Sequence, residues 1–273
     1  MRWTKSRSSC PASDRPESSG ISYQFFMETE IADNLIYRRE LSLTALDVDR
    51  YQRLRMSALF RYLQRSAVIH TTELGCGKDR TLERGLLWVV ARVRIEVNRL
   101  PGYEDTVELE SRPGDMMHII FPRHVTLKSP EGEEYLRATS LWMLADAKTR
   151  RMVFPARYGI EIPGCRDDAA IRDLPEIREI HPQREMIRTV RYSDIDINGH
   201  VNNTHYPDWL DDLFDEEFHR THFWKSLQIN YMNEIQAGSE VHLGVEQAGN
   251  KVLVEGRTDS QVRLRMSAEA APV

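Results

Sequence analysis

The chain reads as an α+β protein made of two consecutive units of the same design. Three observations carry this expectation. A strand, an amphipathic helix and a run of strands occur in that order twice; a charged, proline-containing stretch separates the two runs; and residues of one run match residues of the other at a fixed offset of 147.

The elements follow in order. Met1 to about Gly20 holds six serines and two prolines with few large apolar groups, too little to offset the entropy of ordering it, and a disordered tail is expected over residues 1–28. Met27 makes an upstream extension of the true start one explanation of that tail, and organelle targeting another. Arg38–Leu43 alternates as a strand. From Arg55 to Leu74, the residues Leu59, Tyr62, Leu63, Ala67 and His70 recur at spacings of three and four on one helix face, and Gly75 stops the helix. Strand patterns follow at Leu86–Val97, Thr106–Arg112, His118–Lys128 and Glu134–Leu144, separated by turn signals such as Leu100-Pro-Gly-Tyr103 and Ser129-Pro-Glu-Gly132. These make a first domain over residues 29–163. Residues 164–185, charged and with Pro175 and Pro182, carry no sustained period and are expected to be a linker.

The second domain, 186–273, repeats the order. Met186–Ile197 reads as a strand, Asn202–Phe214 as a helix, and Trp224–Asn233, Ser239–Glu246, Lys251–Thr258 and Gln261–Ser267 as strands. At the offset of 147, Asp47 falls on Asp194, Asp49 on Asp196, Leu54 on Val201, Leu59 on Tyr206, Tyr62 on Trp209 and Leu63 on Leu210. A tandem duplication explains both the order and the matches.

Composition narrows the function. With 41% hydrophobic and 29% charged residues the chain can bury a substantial core, and a net charge of -5 from 37 basic and 42 acidic side chains argues against a protein that coats nucleic acid. Cys10, Cys76 and Cys165 lack the paired short spacing of a zinc ribbon or a disulfide framework, which fits a reducing cytoplasm. No apolar run reaches the length of a membrane span, so neither nucleic acid nor membrane is expected as a partner.

The copies diverge between strand and helix, where the second reads Asp194-Ile-Asp196-Ile-Asn198-Gly-His200-Val-Asn202-Asn203. An extended stretch here would point Asp194, Asp196, Asn198 and His200 to one side. Gly199 allows a sharp turn, and Asn202 can cap a helix whose apolar stripe is Tyr206, Trp209, Leu210, Leu213 and Phe214. A helix N-terminus stabilises an oxyanion and disfavours an imidazolium, so a neutral His200 could act as a base, an amide could hold a carbonyl, and a carboxylate could orient water or attack. Such an Asp-rich turn also serves simply as a helix cap. The first copy has Arg50, Tyr51, Gln52 and Arg53 at the corresponding places, a set that cannot perform this chemistry.

The string from Asp194 to Asn203, with Tyr206 and Trp209 after it, closely resembles the signature of the acyl-ACP thioesterase family of plants and bacteria. The resemblance extends to Leu87-Trp-Val89 with Arg92, to Ser140-Leu-Trp142 through Thr149-Arg-Arg151, and to Tyr231-Met-Asn-Glu234, covering roughly Tyr37 to the C-terminus. It implies a tandem double hotdog, each half an antiparallel sheet wrapped around a central helix, hydrolysing fatty acyl thioesters of acyl carrier protein without a metal or organic cofactor. The catalytic positions it carries over are Asp196, Asn198, His200 and Glu234. Plant members have Cys after that Glu, whereas this chain has Ile235, which argues against a thiol nucleophile. Either Glu234 and His200 activate water, or Asp196 attacks directly.

Trp88, Met116, Met117, Phe121, Trp142 and Met143 supply bulk for an acyl pocket or for an ordinary core. Lys148, Arg150, Arg151, Arg188 and Arg191 could meet an acidic carrier. The group Asp211, Asp212, Asp215, Glu216, Glu217, His219 and His222 reads as a solvated helix end rather than a metal site. Hydrolysis of acyl-CoA and non-catalytic sensing of acyl thioesters are the competing functions. A monomer and a homodimer are equally compatible with the sequence.

Overall fold

Strand residues alternate between a buried apolar face and a polar one, which is the pattern that wraps a sheet around a helix. A computed structural model describes residues 35–165 and 170–273, and residues 35–273 form one compact unit. The tail expected over residues 1–28 lies outside the described residues.

The first copy consists of β1 (Tyr37–Ser42), α1 (Met56–Glu73), α2 (Lys78–Glu83), β2 (Leu86–Val97), β3 (Thr106–Pro113), β4 (Phe121–Lys128) and β5 (Glu134–Asp146). The second consists of β6 (Arg184–Thr189), α3 (Tyr206–Asp211), α4 (Glu216–Thr221), β7 (His222–Tyr231), β8 (Glu240–Ala248), β9 (Lys251–Thr258) and β10 (Gln261–Pro272). All ten strands join one antiparallel sheet in the order β1-β3-β4-β5-β2-β7-β10-β9-β8-β6. That order is a palindrome of equivalent strands. β2 pairs with β7, its own counterpart, from Arg92–Asn230 to Glu96–Ser226, so an approximate twofold axis passes through the seam. Val93, Ile95, Leu227 and Ile229 turn from the seam into a single apolar core shared with Leu59 and Leu63 of α1 and with Trp209 and Leu210 of α3.

Two expectations need correction. Met186–Ile197 is not one strand: β6 ends at Thr189, and a 3-10 turn over Tyr192–Asp194 follows, closed by Asp194 Oδ2 accepting the Arg191 N–H at 2.7 Å. Nor is Asn202–Phe214 one helix. Asn202 Oδ1 accepts the Thr204 N–H and caps a 3-10 turn, α3 lasts six residues, and α4 is a separate helix capped by Asp215.

The stretch expected to be a linker is, from residue 170 onward, packed against the sheet as a strap. Ile171, Leu174, Ile177 and Ile180 are all buried, and this period of three is that of an extended threefold backbone rather than of a helix or strand. Its carbonyls accept hydrogen bonds from Arg92 of β2 (Leu174 O, 2.7 Å), Gln228 of β7 (Pro175 O, 2.6 Å) and Arg265 of β10 (Ile177 O, 3.1 Å). The strap therefore covers the polar face of the seam from both halves. Gly244 of β8 admits it at the far end, because a Cβ there would meet Pro182 at 3.0 Å. Among the described residues, no helix is long and apolar enough to cross a membrane.

Candidate active site

The junction between first strand and helix folds alike in both copies, and this shows what the substitutions there do. In the second copy Ile195 bridges Val201, the Asp196 N–H donates to His200 O, and the Gly199 N–H donates to Asp196 O. In the first copy Val48 bridges Leu54, Asp49 N–H donates to Arg53 O, and Gln52 N–H donates to Asp49 O. The turn needs a positive φ, +83° at Gly199 and +63° at Gln52. The stretch is thus a tight loop, not an extended segment, and this separates Asp194 from the other three polar residues. Asp194 is buried, closes its own turn and lies 3.6 Å from Arg188.

Asp196, Asn198, His200 and Glu234 do come together. His200 bridges Gln236, which brings the segment carrying Glu234 alongside. His200 Nε2 lies 3.6 Å from Glu234 Oε1, and Nδ1 lies 3.3 Å from Val201 O and 3.9 Å from Asp196 Oδ1. A carbonyl can only accept, so the Val201 contact assigns the ring hydrogen to Nδ1 and leaves the Nε2 lone pair facing Glu234. Asp196 is occupied with Asn198: Oδ1 accepts its backbone N–H at 2.7 Å and Oδ2 accepts its side-chain N–H at 3.2 Å. Arg150, from the turn after β5, reaches across from the first copy to within 3.2 Å of Glu234 Oε1. Tyr206, buried behind the loop and near the negative Asp196, has its phenol pKa pushed up, first by burial and then by that charge. The phenol of the half-buried Tyr231 beside it is raised likewise by burial of its hydroxyl end.

Two of these residues, Asp196 and Asn198, line a cavity of about 610 Å³ that lies mostly within the first copy, with His200 and Glu234 set behind them. Ile195, Asp196, Ile197, Asn198 and Asn202 form one wall; Gln64, Ala67, Val68 and Thr71 of α1, residues 77–82 around α2, and Trp88, Phe121 and Trp142 of the sheet form the rest. Three of the six bulky residues singled out in the sequence therefore line it. Met143 is not among the lining residues, and Met116 and Met117 are 38% and 48% exposed. Arg123, with its side chain buried, also lines the cavity; the alternation Phe121, Arg123, Val125, Leu127 along β4 was the signal that pointed it inward.

The equivalent space in the second copy is filled. Ala67 and Thr71 are replaced at the offset of 147 by Phe214 and Phe218, which pack on Trp224 with ring centroids 5.2 and 5.0 Å apart. On that side Arg53 stands where His200 would be, bound to Asp49 at 2.8 Å and donating to the carbonyls of His219 and His222. The acidic group on this helix is not simply solvated: Asp211 is largely shielded, accepts the Trp224 indole N–H at 2.7 Å, and is pushed up to about 6 by burial. Arg188, considered above for a surface patch, instead pairs with Asp212 at 2.8 Å and lies over the Trp209 ring.

Residues 34–154 match the family profile of the acyl-ACP thioesterase N-terminal domain, and residues 179–269 match that of the C-terminal domain. The chain is 31% identical to a dodecanoyl-[acyl-carrier-protein] hydrolase of Cinnamomum camphora, over 79% of this chain and 62% of that one, and 30% identical to a palmitoyl-acyl carrier protein thioesterase of Cuphea hookeriana, over 77% and 54%. It thus spans little more than half the length of these relatives. An acyl-ACP thioesterase structure from Bacteroides thetaiotaomicron superposes with a TM-score of 0.81 at 25% identity, covering 88% of this chain and 99% of that one. The 12:0-ACP thioesterase of Umbellularia californica shares the fold at a TM-score of 0.75 and 24% identity, covering 88% and 98%. The ten-stranded sheet is a double hotdog, and the chain belongs to the acyl-ACP thioesterase family.

Proposed function

We propose that this protein hydrolyses fatty acyl thioesters of acyl carrier protein, releasing the free acid in the cytoplasm, with the acyl chain held in the first copy and the chemistry performed by the second. One observation supports the reading: the amide of Asn198 and the carboxylate of Asp196 line a cavity whose walls are mainly apolar, and His200 and Glu234 gather beside them.

The geometry favours water as nucleophile. With hydrogen on Nδ1, His200 Nε2 and Glu234 Oε1 are two acceptors 3.6 Å apart, so a water between them can donate to both. Both Asp196 oxygens already accept hydrogen bonds from Asn198, which lowers their nucleophilicity and fixes the amide. The second amide hydrogen of Asn198 would then hold the thioester carbonyl. Water oxygen bonds to the acyl carbon as its proton passes to the His200–Glu234 pair, and the oxyanion is stabilised by Asn198. The C–S bond breaks, and the departing thiolate recovers the proton. Arg150 places a positive charge beside the mouth, where an acidic carrier would arrive.

Thiol release from matched acyl-ACP and acyl-CoA series tests the reading. Acyl-ACP is expected to turn over faster, with His200→Ala and Asp196→Ala each losing a large part of the rate while remaining folded. Near-normal turnover in both variants refutes the site. Single turnover in oxygen-18 water is expected to leave Asp196 unlabelled, and label in Asp196 would show direct attack.

A further inference from the structure

Arg123 is an unusual residue for the wall of an acyl cavity. It is 4% exposed, and burial alone pushes its pKa down to about 10. Its Nη1 donates to His70 Nδ1 at 2.8 Å and Ser111 Oγ at 3.0 Å, and its Nη2 donates to Thr71 Oγ1 at 3.1 Å. All three partners are neutral acceptors, since a guanidinium only donates and so fixes Nδ1 of His70 as an acceptor. Among the described residues no carboxylate pairs with Arg123. Among the described residues, these three hydrogen bonds leave two of its five N–H donors without a partner, on a buried charge with no counter-charge.

Its place in the fold is toward the far side of the cavity, next to Pro113 and Gly114 at the end of β3, which also line it. Arg123 pairs with Ser140, Ser140 with Val93, and Val93 with Ile229 of β7, so three strand spacings, about 14 Å, separate it from the strand that leads to Glu234. Along α1, Gln64 lies at the level of Asn203 and Tyr231, with which it shares a small crevice, whereas Thr71, two turns on, binds Arg123. A chain entering at Asn198 therefore passes Ala67 on its way to Arg123. A methyl group arriving there would leave the charge and its two N–H groups unsatisfied. An oxygen would satisfy them.

We propose that Arg123 receives an oxygen at the distal end of the acyl chain, and that the cavity selects ω-oxygenated acyl groups, a carboxylate above a hydroxyl because it also brings the missing counter-charge. This rests on the hydrolase reading for the identity of the ligand, but its test does not need turnover. Non-hydrolysable S-alkyl pantetheines of graded length, each with a methyl, ω-hydroxyl or ω-carboxylate end, are titrated into the full-length protein by calorimetry. At one length the ω-carboxylate is expected to bind more than about tenfold tighter than the methyl-ended chain, with the hydroxyl between them. Arg123→Met should erase the order and Arg123→Lys should retain the carboxylate preference. Methyl-ended chains binding as tightly as the oxygenated ones at every length overturn the proposal on the unaltered protein, whether or not the variants fold; so does a preference that survives Arg123→Met. Failure to release thiol from any acyl-ACP would overturn the hydrolase reading instead, and leave these binding outcomes to decide Arg123 separately.

Discussion

Ala67→Phe imposes on the first copy the residue that fills the second. Ala67 is 6% exposed, one turn of α1 beyond Gln64, and its counterpart Phe214 packs into the aromatic cluster that occupies the equivalent space. A phenyl ring at this point takes the room of roughly four chain methylenes, each worth about 0.8 kcal/mol when buried, so about 3 kcal/mol of transition-state binding is lost. That corresponds to roughly a 200-fold fall in kcat/KM for chains long enough to pass Ala67. Acyl groups too short to reach it should keep their rate. Filling apolar space costs little stability where the ring fits, so the melting temperature should hold within a few degrees. Steady-state kinetics on acyl-ACPs of increasing length, with a thermal melt for each preparation, makes the test. A folded variant that turns over long chains within about threefold of the parent would show that the chain lies elsewhere, since lost contacts of this size cannot be hidden in kcat/KM.

Further outcomes follow from single residues. Asp211 titrates at about 6 when folded and near 3.9 when unfolded, so its protonated form adds stability that is fully present below pH 3.9 and lost as pH rises through 6. Asp211→Asn should remove this loss: urea midpoints are expected to favour the variant increasingly from pH 4 to pH 7, by up to ~3 kcal/mol, and a gap independent of pH would refute the burial argument. Gly199→Ala meets no atom within 4 Å, so its cost is the positive φ alone, about 1–2 kcal/mol, and its effect on kcat should exceed that on KM because the loop sets Asn198 and His200. Glu234→Gln keeps an acceptor oxygen but removes the negative charge that draws the proton from water, and should lower kcat by roughly 100-fold or more with little change in KM; an unaltered kcat would leave His200 as the sole base.

Much of this architecture can be read from periodicity. Leu86–Val97 and Lys251–Thr258 coincide with the observed strands, because each is a run rich in apolar and β-branched residues bounded by turn residues. The α1 stripe is equally plain. Where the reading failed, a local signal was outweighed by tertiary structure. The apolar positions of Asn202–Phe214 have helical spacing, yet the helix stops after Asp211, and Phe214 and Phe218 pack together on Trp224. The strap escaped notice because its spacing of three belongs to neither a helix nor a strand, and its hydrogen bonds come from side chains more than forty residues away. Of the site, Asp196, Asn198 and His200 were legible as one string, but that Asp194 turns away depends on the 3-10 turn. Neither the Arg150 contact with Glu234 nor the isolation of Arg123 is written in any local pattern.

The pairing of β2 with β7 has a consequence for how such a chain must be made. Until β7 is synthesised, β2 presents a bare border of backbone groups of the kind that seeks any complementary strand. Since its mate in the fold is the equivalent strand of the other half, a truncated product ending before the strap should join with a second truncated product, back to front, through β2. In such a pair both halves would carry Arg53 and neither would carry His200. Within one chain the two halves need not be identical, which leaves one free to stay hollow while the other is solid.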